Sequence, residues 1–451
     1  MTGPAAGAEA ASEAGASAQA RGQHACLSCG APLGAVVADL GTSPLANSYL
    51  EPEALDRPET FYPLCARLCE SCFLVQLPVA ASSEAIFSEY AYFSSYSDSW
   101  LSHARDYVAM AVERFGLGTD SLIVEVASND GYLLQYAKDR GIPVLGIEPA
   151  RNVAEHAEAR GIPTLNRFLG EELARAVVAG AERPEWGSSA SLLGRPADLV
   201  VANNVFAHTP QLNDFTAGLA VLLAPQGVLT IEVQHLQRLL EQVQFDTIYH
   251  EHFSYYSMHA AKRVLDSHGL EPFDVEELST HGGSLRIFCR RADLGKSAAA
   301  PDPRLAPTGR VDEMLEAERA AGLLEVDAYR RFQERVQAVK RRLLEFLIGA
   351  RDQGRQVVGY GAPAKGNTLL NYCGIGTDLI DYTVDRSPHK QGRFLPGSRI
   401  PIHAPERLRE TRPDYVLILP WNLEREIAGQ WSEIREWGGR FVVAIPEVRI
   451  W

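Results

Sequence analysis

Leu122-Ile123-Val124-Glu125-Val126-Ala127-Ser128-Asn129-Asp130-Gly131 runs from a short apolar segment into a loop of small and polar residues. A brief apolar run bounded by such a loop reads as a strand buried on both faces. A helical pattern, Tyr132–Arg140, starts directly after it and ends at Gly141. Val144–Ile147 is a second strand of the same type, followed by a helix from about Asn152 to Arg160 that ends at Gly161. Leu199–Ala202 and Val228–Val233 are further buried strands. This alternation of strands and helices predicts a doubly wound α/β domain with a parallel sheet. A helix near Met258–His268 precedes strands around Phe273–Glu277 and Ser284–Cys289. These two, joined through His281-Gly282-Gly283, predict an antiparallel hairpin closing the sheet, which a plain dinucleotide-binding fold lacks.

Working outward, residues 1–22 are almost all Ala, Gly, Glu and Ser, the composition of a disordered tail. A Cys-bearing segment, 23–80, forms its own small domain, and the α/β domain takes 81–300. A charged helical connector, 301–350, leads to a second α/β unit, 351–451. Its predicted strands are Gln356–Tyr360, Leu379–Val384, Tyr415–Leu419 and Phe441–Ile445.

The 451 residues allow two or three domains, and a formal charge of −14 argues against nucleic acid as the main partner. No apolar run reaches the roughly 20 residues that span a bilayer. The N-terminus lacks a basic and then apolar leader, so a cytoplasmic enzyme without a membrane partner is expected. Oligomeric state is open at this level, and a monomer is compatible with the composition.

Seven cysteines are too few for a disulfide scaffold, and four of them form two Cys-x-x-Cys knuckles. Cys26 with Cys29, and Cys69 with Cys72, offer four thiolates for a tetrahedral Zn2+. A fully ligated ion has no open position, so its expected role is structural. Cys65 is the weaker choice of ligand on spacing.

The loop from Glu125 through Ala127, Ser128, Asn129 and Asp130 to Gly131 lets the backbone turn tightly toward a ligand. Glu148-Pro149, ending the next strand about 20 residues later, suits two ribose hydroxyls. With Asn203-Asn204 at the end of another central strand, the set points to an adenosyl ligand.

These segments, together with Ala202–His208, Ile248–Tyr255, His281–Arg286 and Gly359–Asn367, resemble the three-domain sugar C-methyltransferases that act on nucleotide-linked deoxysugars. The resemblance runs from about Cys26 to Trp451, with Cys65 and the apparent insertion Glu182–Gly194 as departures. It implies an N-terminal zinc-binding domain, a class I S-adenosylmethionine domain and a C-terminal Rossmann-like domain that holds a nucleotide-sugar. It also implies that His252 is the base, and that Tyr92 is an active-site tyrosine, with Tyr96 close enough to compete.

Carbon methylation next to a ketone needs a base and donors for the enolate oxygen. Histidine, with an ordinary pKa of about 6.5, accepts a proton near neutral pH. Tyr249 is assigned as a donor, Glu251 orients the base or a substrate hydroxyl, and His208 is a second polar group near the carbonyl. His281, Gly283, Ser284, Arg286, Lys365 and Asn367 are the expected substrate contacts. His250-x-His252 is also readable as a metal pair, because alternate residues of a strand share a face. Gly359-x-Gly361-x-x-Ala364 with Asp385 after it matches a dinucleotide fingerprint. It keeps a nicotinamide-dependent oxidoreductase in view beside methylation of a non-sugar intermediate. A non-catalytic scaffold is the third reading.

Overall fold

The computed structural model of the chain describes residues 25–80, 94–96, 98–181, 192–294 and 302–451. The expected tail, Tyr92 and most of Glu182–Gly194 lie outside them. The N-terminal part carries β1 (Val36–Ser43), β2 (Tyr62–Leu68) and β3 (Val75–Gln76), paired antiparallel. The large domain follows with β4 (Ile123–Val126), β5 (Val144–Ile147), β6 (Thr164–Leu165), β7 (Ala197–Asn203) and β8 (Leu223–Gln234). A two-residue β9 (Ser254–Tyr255) precedes the hairpin β10 (Leu270–Leu278) and β11 (Ser284–Arg291).

The seven-stranded sheet has the order β10-β11-β8-β7-β4-β5-β6. Its β4 to β8 are parallel, and the predicted hairpin joins them antiparallel through β11. Alternate residues of one strand enter opposite layers, as a pleated strand requires. Ile123, Leu199 and Val201 pack with the helix Asp98–Phe115, whereas Val124, Val126, Val200 and Ala202 pack with the helices Leu212–Leu222 and Met258–Asp266. Both faces are covered, which is why these strands read as continuous apolar runs.

The C-terminal unit adds β12 (Val357–Tyr360), β13 (Thr383–Val384), β14 (Ile402–His403), β15 (Tyr415–Ile418), β16 (Arg440–Val443) and β17 (Arg449–Ile450), in the order β14-β13-β12-β15-β16-β17. The sequence reading lacks β14 and β17, which have two residues each and carry no usable periodicity. The connector is more than a spacer. Phe332, Val336, Val339, Leu343 and Leu347 form one apolar stripe of the helix Phe332–Asp352, and they share a core with β1, β2 and the C-terminal sheet.

One departure from a separable N-terminal domain matters for the site. β9 leaves the large domain's sheet and pairs with β3, giving a four-stranded sheet ordered β1-β2-β3-β9. The chain just before β9 is the segment Tyr249–His252.

Candidate active site

A cavity of about 440 Å3 opens at the carboxyl ends of β4, β5, β7 and β8, where open α/β sheets bind ligands. Its walls come from all three parts of the chain: Asn47, the strand ends of the large domain, and Lys365 and Lys390 of the C-terminal unit.

The loop after β4 is built on left-handed residues, with φ of 56° at Ala127, 49° at Asn129 and 75° at Gly131. A Cβ on Gly131 would also meet Ile162 Cγ1 at 2.9 Å, so glycine is required there for both reasons. Glu148 ties this loop to the next: its Oε2 accepts from Asn129 N at 2.9 Å and its Oε1 from Ala150 N at 2.8 Å. Burial pushes the Glu148 carboxyl up to about 7, against the pull of those two amides. Each oxygen keeps a second lone pair, so the placement still suits ribose hydroxyls.

Ala127, Asn129, Glu148, Pro149, Asn203 and Asn204 line the cavity. Asn203 Oδ1 and Asn204 Nδ2 are buried there without a hydrogen-bond partner, which fits a ligand that offers both donors and acceptors. Glu125, Ser128, Asp130 and Gly131 are absent from the wall. Glu125 lies wholly buried in β4, where burial, and then the Glu148 charge, raise its pKa well above the ordinary value.

The polar end of the cavity holds His208, Tyr249 and His252. His208 closes a single turn after β7, and the other two come from the excursion between β8 and β9. His252 Nδ1 lies 2.8 Å from the Thr247 carbonyl oxygen. A carbonyl only accepts, so Nδ1 carries the proton and Nε2 the lone pair. The Tyr249 ring stands 4.1 Å from the His252 ring, and His208 meets it edge-on at 4.8 Å. Burial, then the His208 charge, hold His252 well below the usual histidine range. Burial likewise holds His208 and His281 down to about 4. His208 donates to the Glu251 carbonyl, which leaves its other nitrogen an acceptor.

Neighbours in sequence face elsewhere. His250 Nε2 bonds the Pro63 carbonyl at 3.1 Å, beside Tyr62, so it does not share a ligand position with His252. Glu251 is buried and turned toward the N-terminal part, where Asn47 Nδ2 reaches Oε1 at 2.7 Å and Oε2 at 2.9 Å.

Of the expected substrate contacts, His281 and Lys365 line the cavity. Arg286 does not: it is buried against Glu232 at 2.9 Å and lies over the Tyr107 ring. Ser284 Oγ bonds Thr280 O, and Asn367 Nδ2 bonds Ala46 O at 2.6 Å, so both hold backbone rather than the cavity. Gly283, with φ of 121°, turns the hairpin against Arg238. Tyr92 lies outside the described residues. Asn47, Trp100 and Lys390 line the cavity and were missed by sequence reasoning. Each stands alone in its segment, without a neighbouring motif to flag it.

The fingerprint in the C-terminal unit is partly occupied by its own residues. Asp385 Oδ2 accepts from Ala362 N at 2.7 Å, which engages an amide that a dinucleotide pyrophosphate would need. Pro420 Cδ lies 2.6 Å from where a Cβ on Gly361 would be, so that glycine serves packing against Pro420.

Cys26, Cys29, Cys69 and Cys72 bring their sulfurs within 4.8 Å of one another, while Cys65 sits apart in β2. Tetrahedral Zn–S bonds of about 2.3 Å fit such a cluster. Among the described residues no other metal-holding group of this kind occurs, and no helix is long and apolar enough to cross a membrane.

The chain matches family models for a zinc binding domain over residues 26–87, a methyltransferase domain over 100–275 and a C-methyltransferase C-terminal domain over 279–446. It is 38% identical over 425 residues to the C-methyltransferase NovU of Streptomyces niveus, across 94% of this chain and 96% of that protein. Similar solved structures include magnesium protoporphyrin IX methyltransferase from Synechocystis with bound SAM, at 14% identity and a TM-score of 0.29, over 43% of this chain and 82% of that one. Another is 1,6-didemethyltoxoflavin-N1-methyltransferase of Burkholderia thailandensis, at 14% identity and a TM-score of 0.32, over 49% and 96%.

Proposed function

The chain belongs to the three-domain C-methyltransferase family, and from that premise we propose that it methylates a carbon next to the ketone of a nucleotide-linked 6-deoxy-keto-sugar, as a thymidine diphosphate derivative. The observation that carries the chemistry is His252, whose ring is fixed by Thr247 so that a basic nitrogen serves a buried cavity. When bound, S-adenosylmethionine supplies an electrophilic methyl group, and Asn129, Glu148, Asn203 and Asn204 are the residues that would hold it.

His252 Nε2 takes the proton from the carbon beside the ketone, and the Tyr249 hydroxyl donates to the oxygen that becomes negative. His208, an acceptor toward the cavity, accepts a hydrogen bond from a substrate hydroxyl and so fixes its orientation. Lys365 and Lys390 bring two ammonium groups to the C-terminal side, where the diphosphate would lie. Holding the carbon in line with the methyl group is the remaining task, and all three parts of the chain share it. A small-molecule substrate, a cytoplasmic location and no nucleic-acid or membrane partner complete the reading.

The test is a panel of nucleotide-linked keto-sugars incubated with enzyme and methyl-labelled S-adenosylmethionine, the product carbon being located by NMR. A new C–CH3 signal at C-3 or C-5 is the expected result. Labelled product from a non-sugar ketone alone would replace the sugar by that class while leaving carbon methylation in place.

A further inference from the structure

We propose that Asn47, contributed by the zinc-binding domain, is a positioning residue that fixes Glu251 and offers the active site an amide donor toward the substrate. The substrate half of this inference rests on the function proposed above.

Asn47 lines the cavity, whereas Glu251, one residue before the base, does not. The Asn47 amide stands between the two. A carboxylate only accepts, so Nδ2 rather than Oδ1 must face Glu251, and this settles the amide's orientation. The two oxygens of one carboxylate subtend a much narrower angle at Nδ2 than its two diverging N–H bonds. One hydrogen is therefore shared by Oε1 and Oε2, and the second points away from Glu251. On a residue of the cavity wall, that second N–H is a donor for a substrate oxygen.

The loop that carries Asn47 is held on both sides. Ala46 O accepts from Asn367 Nδ2 at 2.6 Å, and Tyr49 Oη donates to Ala362 O at 2.6 Å. Leu50 and Phe394 exchange two backbone hydrogen bonds of 2.9 Å. The loop is thus wedged between the C-terminal unit and the catalytic segment. Asn47 is the point at which the zinc-binding domain reaches Glu251, and through the chain, His252.

The experiment uses full-length, zinc-loaded protein and the variants Asn47→Ala, Asn47→Asp, Glu251→Gln and Asn47→Ala/Glu251→Gln. Asn47→Ala should lower kcat/KM for the keto-sugar about ten- to hundredfold, the usual effect of removing a partner from a buried charged group. Zinc content and the Kd for S-adenosylmethionine should stay within twofold of wild type. The double variant should be no worse than the more damaged single variant, because the two residues act as one unit. Asn47→Asp sets two buried carboxylates together, so its loss should be partly relieved as pH falls and one of them takes a proton.

The Asn47–Glu251 contact is also read without substrate, which separates its failure from failure of the sugar reading. Thermal stability of Asn47→Asp should drop relative to wild type as pH rises from about 5 to 8. Wild-type pH dependence in that variant overturns the contact. An Asn47→Ala enzyme with kcat/KM within twofold of wild type overturns the role in turnover. Parallel loss of zinc or of cofactor affinity makes Asn47 a structural residue only, and also overturns the proposal.

Discussion

His252 Nδ1 and the Thr247 carbonyl oxygen lie 2.8 Å apart, and this contact decides which nitrogen of the ring is basic. Because burial and the nearby His208 lower the His252 pKa, the neutral form persists far below the usual histidine range. The acid limb of kcat/KM, which reports the free enzyme's base, should therefore fall below pH 6.5. His252→Asn should abolish turnover while leaving the Kd for S-adenosylmethionine within a few-fold. An acid limb centred at or above 6.5, or retained turnover in the variant, removes His252 as the base.

The zinc cluster should matter to the base without touching it. Leu77 N holds the Phe253 carbonyl at 2.9 Å, and Val75 and Gln76 pair with Tyr255 and Ser254. Cys69 and Cys72 lie only a few residues before that strand. Replacing Cys69 by Ser should release the metal and lower kcat at least tenfold, with cofactor affinity changed far less. Metal analysis and calorimetry on the same preparation check both halves. Equal losses in kcat and cofactor affinity would mean that zinc supports the whole molecule rather than this segment.

How much of this was legible in the sequence depended on whether a residue's partners were local. The strand and loop from Ile123 to Gly131 announce themselves, because apolar continuity and turn chemistry lie within one segment. The four zinc ligands are equally plain from two short spacings. Asn47 meets Glu251 across 204 positions, and no local pattern encodes that. Arg286 shows the converse error. It sits in a recognisable motif, yet Glu232, on the neighbouring strand β8, turns it into a buried structural pair. The swap of β9 into the N-terminal sheet was hidden for the same reason, since two residues cannot show which sheet they join.

Asp385 also carries a test of the oxidoreductase reading. With Ala362 N engaged by its carboxylate at 2.7 Å, the turn after β12 has one amide fewer to offer a pyrophosphate. NADH fluorescence should show no saturable change on titration with the protein at millimolar concentrations. Tight, saturable quenching would restore a nicotinamide site. Asp385→Ala should weaken the C-terminal unit by about 1–3 kcal/mol, the usual effect of orphaning a buried donor, measured by denaturant unfolding.

Glu318 should be a sensitive position for stability away from the cavity. It is fully buried on the connector helix Arg310–Ala320, where Oε1 accepts from His235 Nε2 and Oε2 from His259 Nδ1, each at 2.8 Å. The same carboxylate accepts from the Met258 and His259 amides at 2.5 and 3.0 Å, capping the helix Met258–Asp266 from outside. Burial alone would raise its pKa, but the hydrogen bonds from His235 and His259 outweigh it and hold the carboxyl down to about 2. A depressed carboxyl stabilises the fold above its ordinary pKa of 4.5, and that contribution is lost as pH falls from there through about 2. The shift corresponds to about 3 kcal/mol. Glu318→Ala also leaves the buried His235, the half-buried His259 and a helix end without their acceptor, so a loss of about 3–5 kcal/mol is expected at neutral pH. Urea unfolding of wild type and variant at pH 7 and pH 3 measures both, and the gap between them should narrow at the lower pH. A gap that is small at pH 7, or that widens on acidification, would show that the connector is held by its apolar stripe and not by this carboxylate.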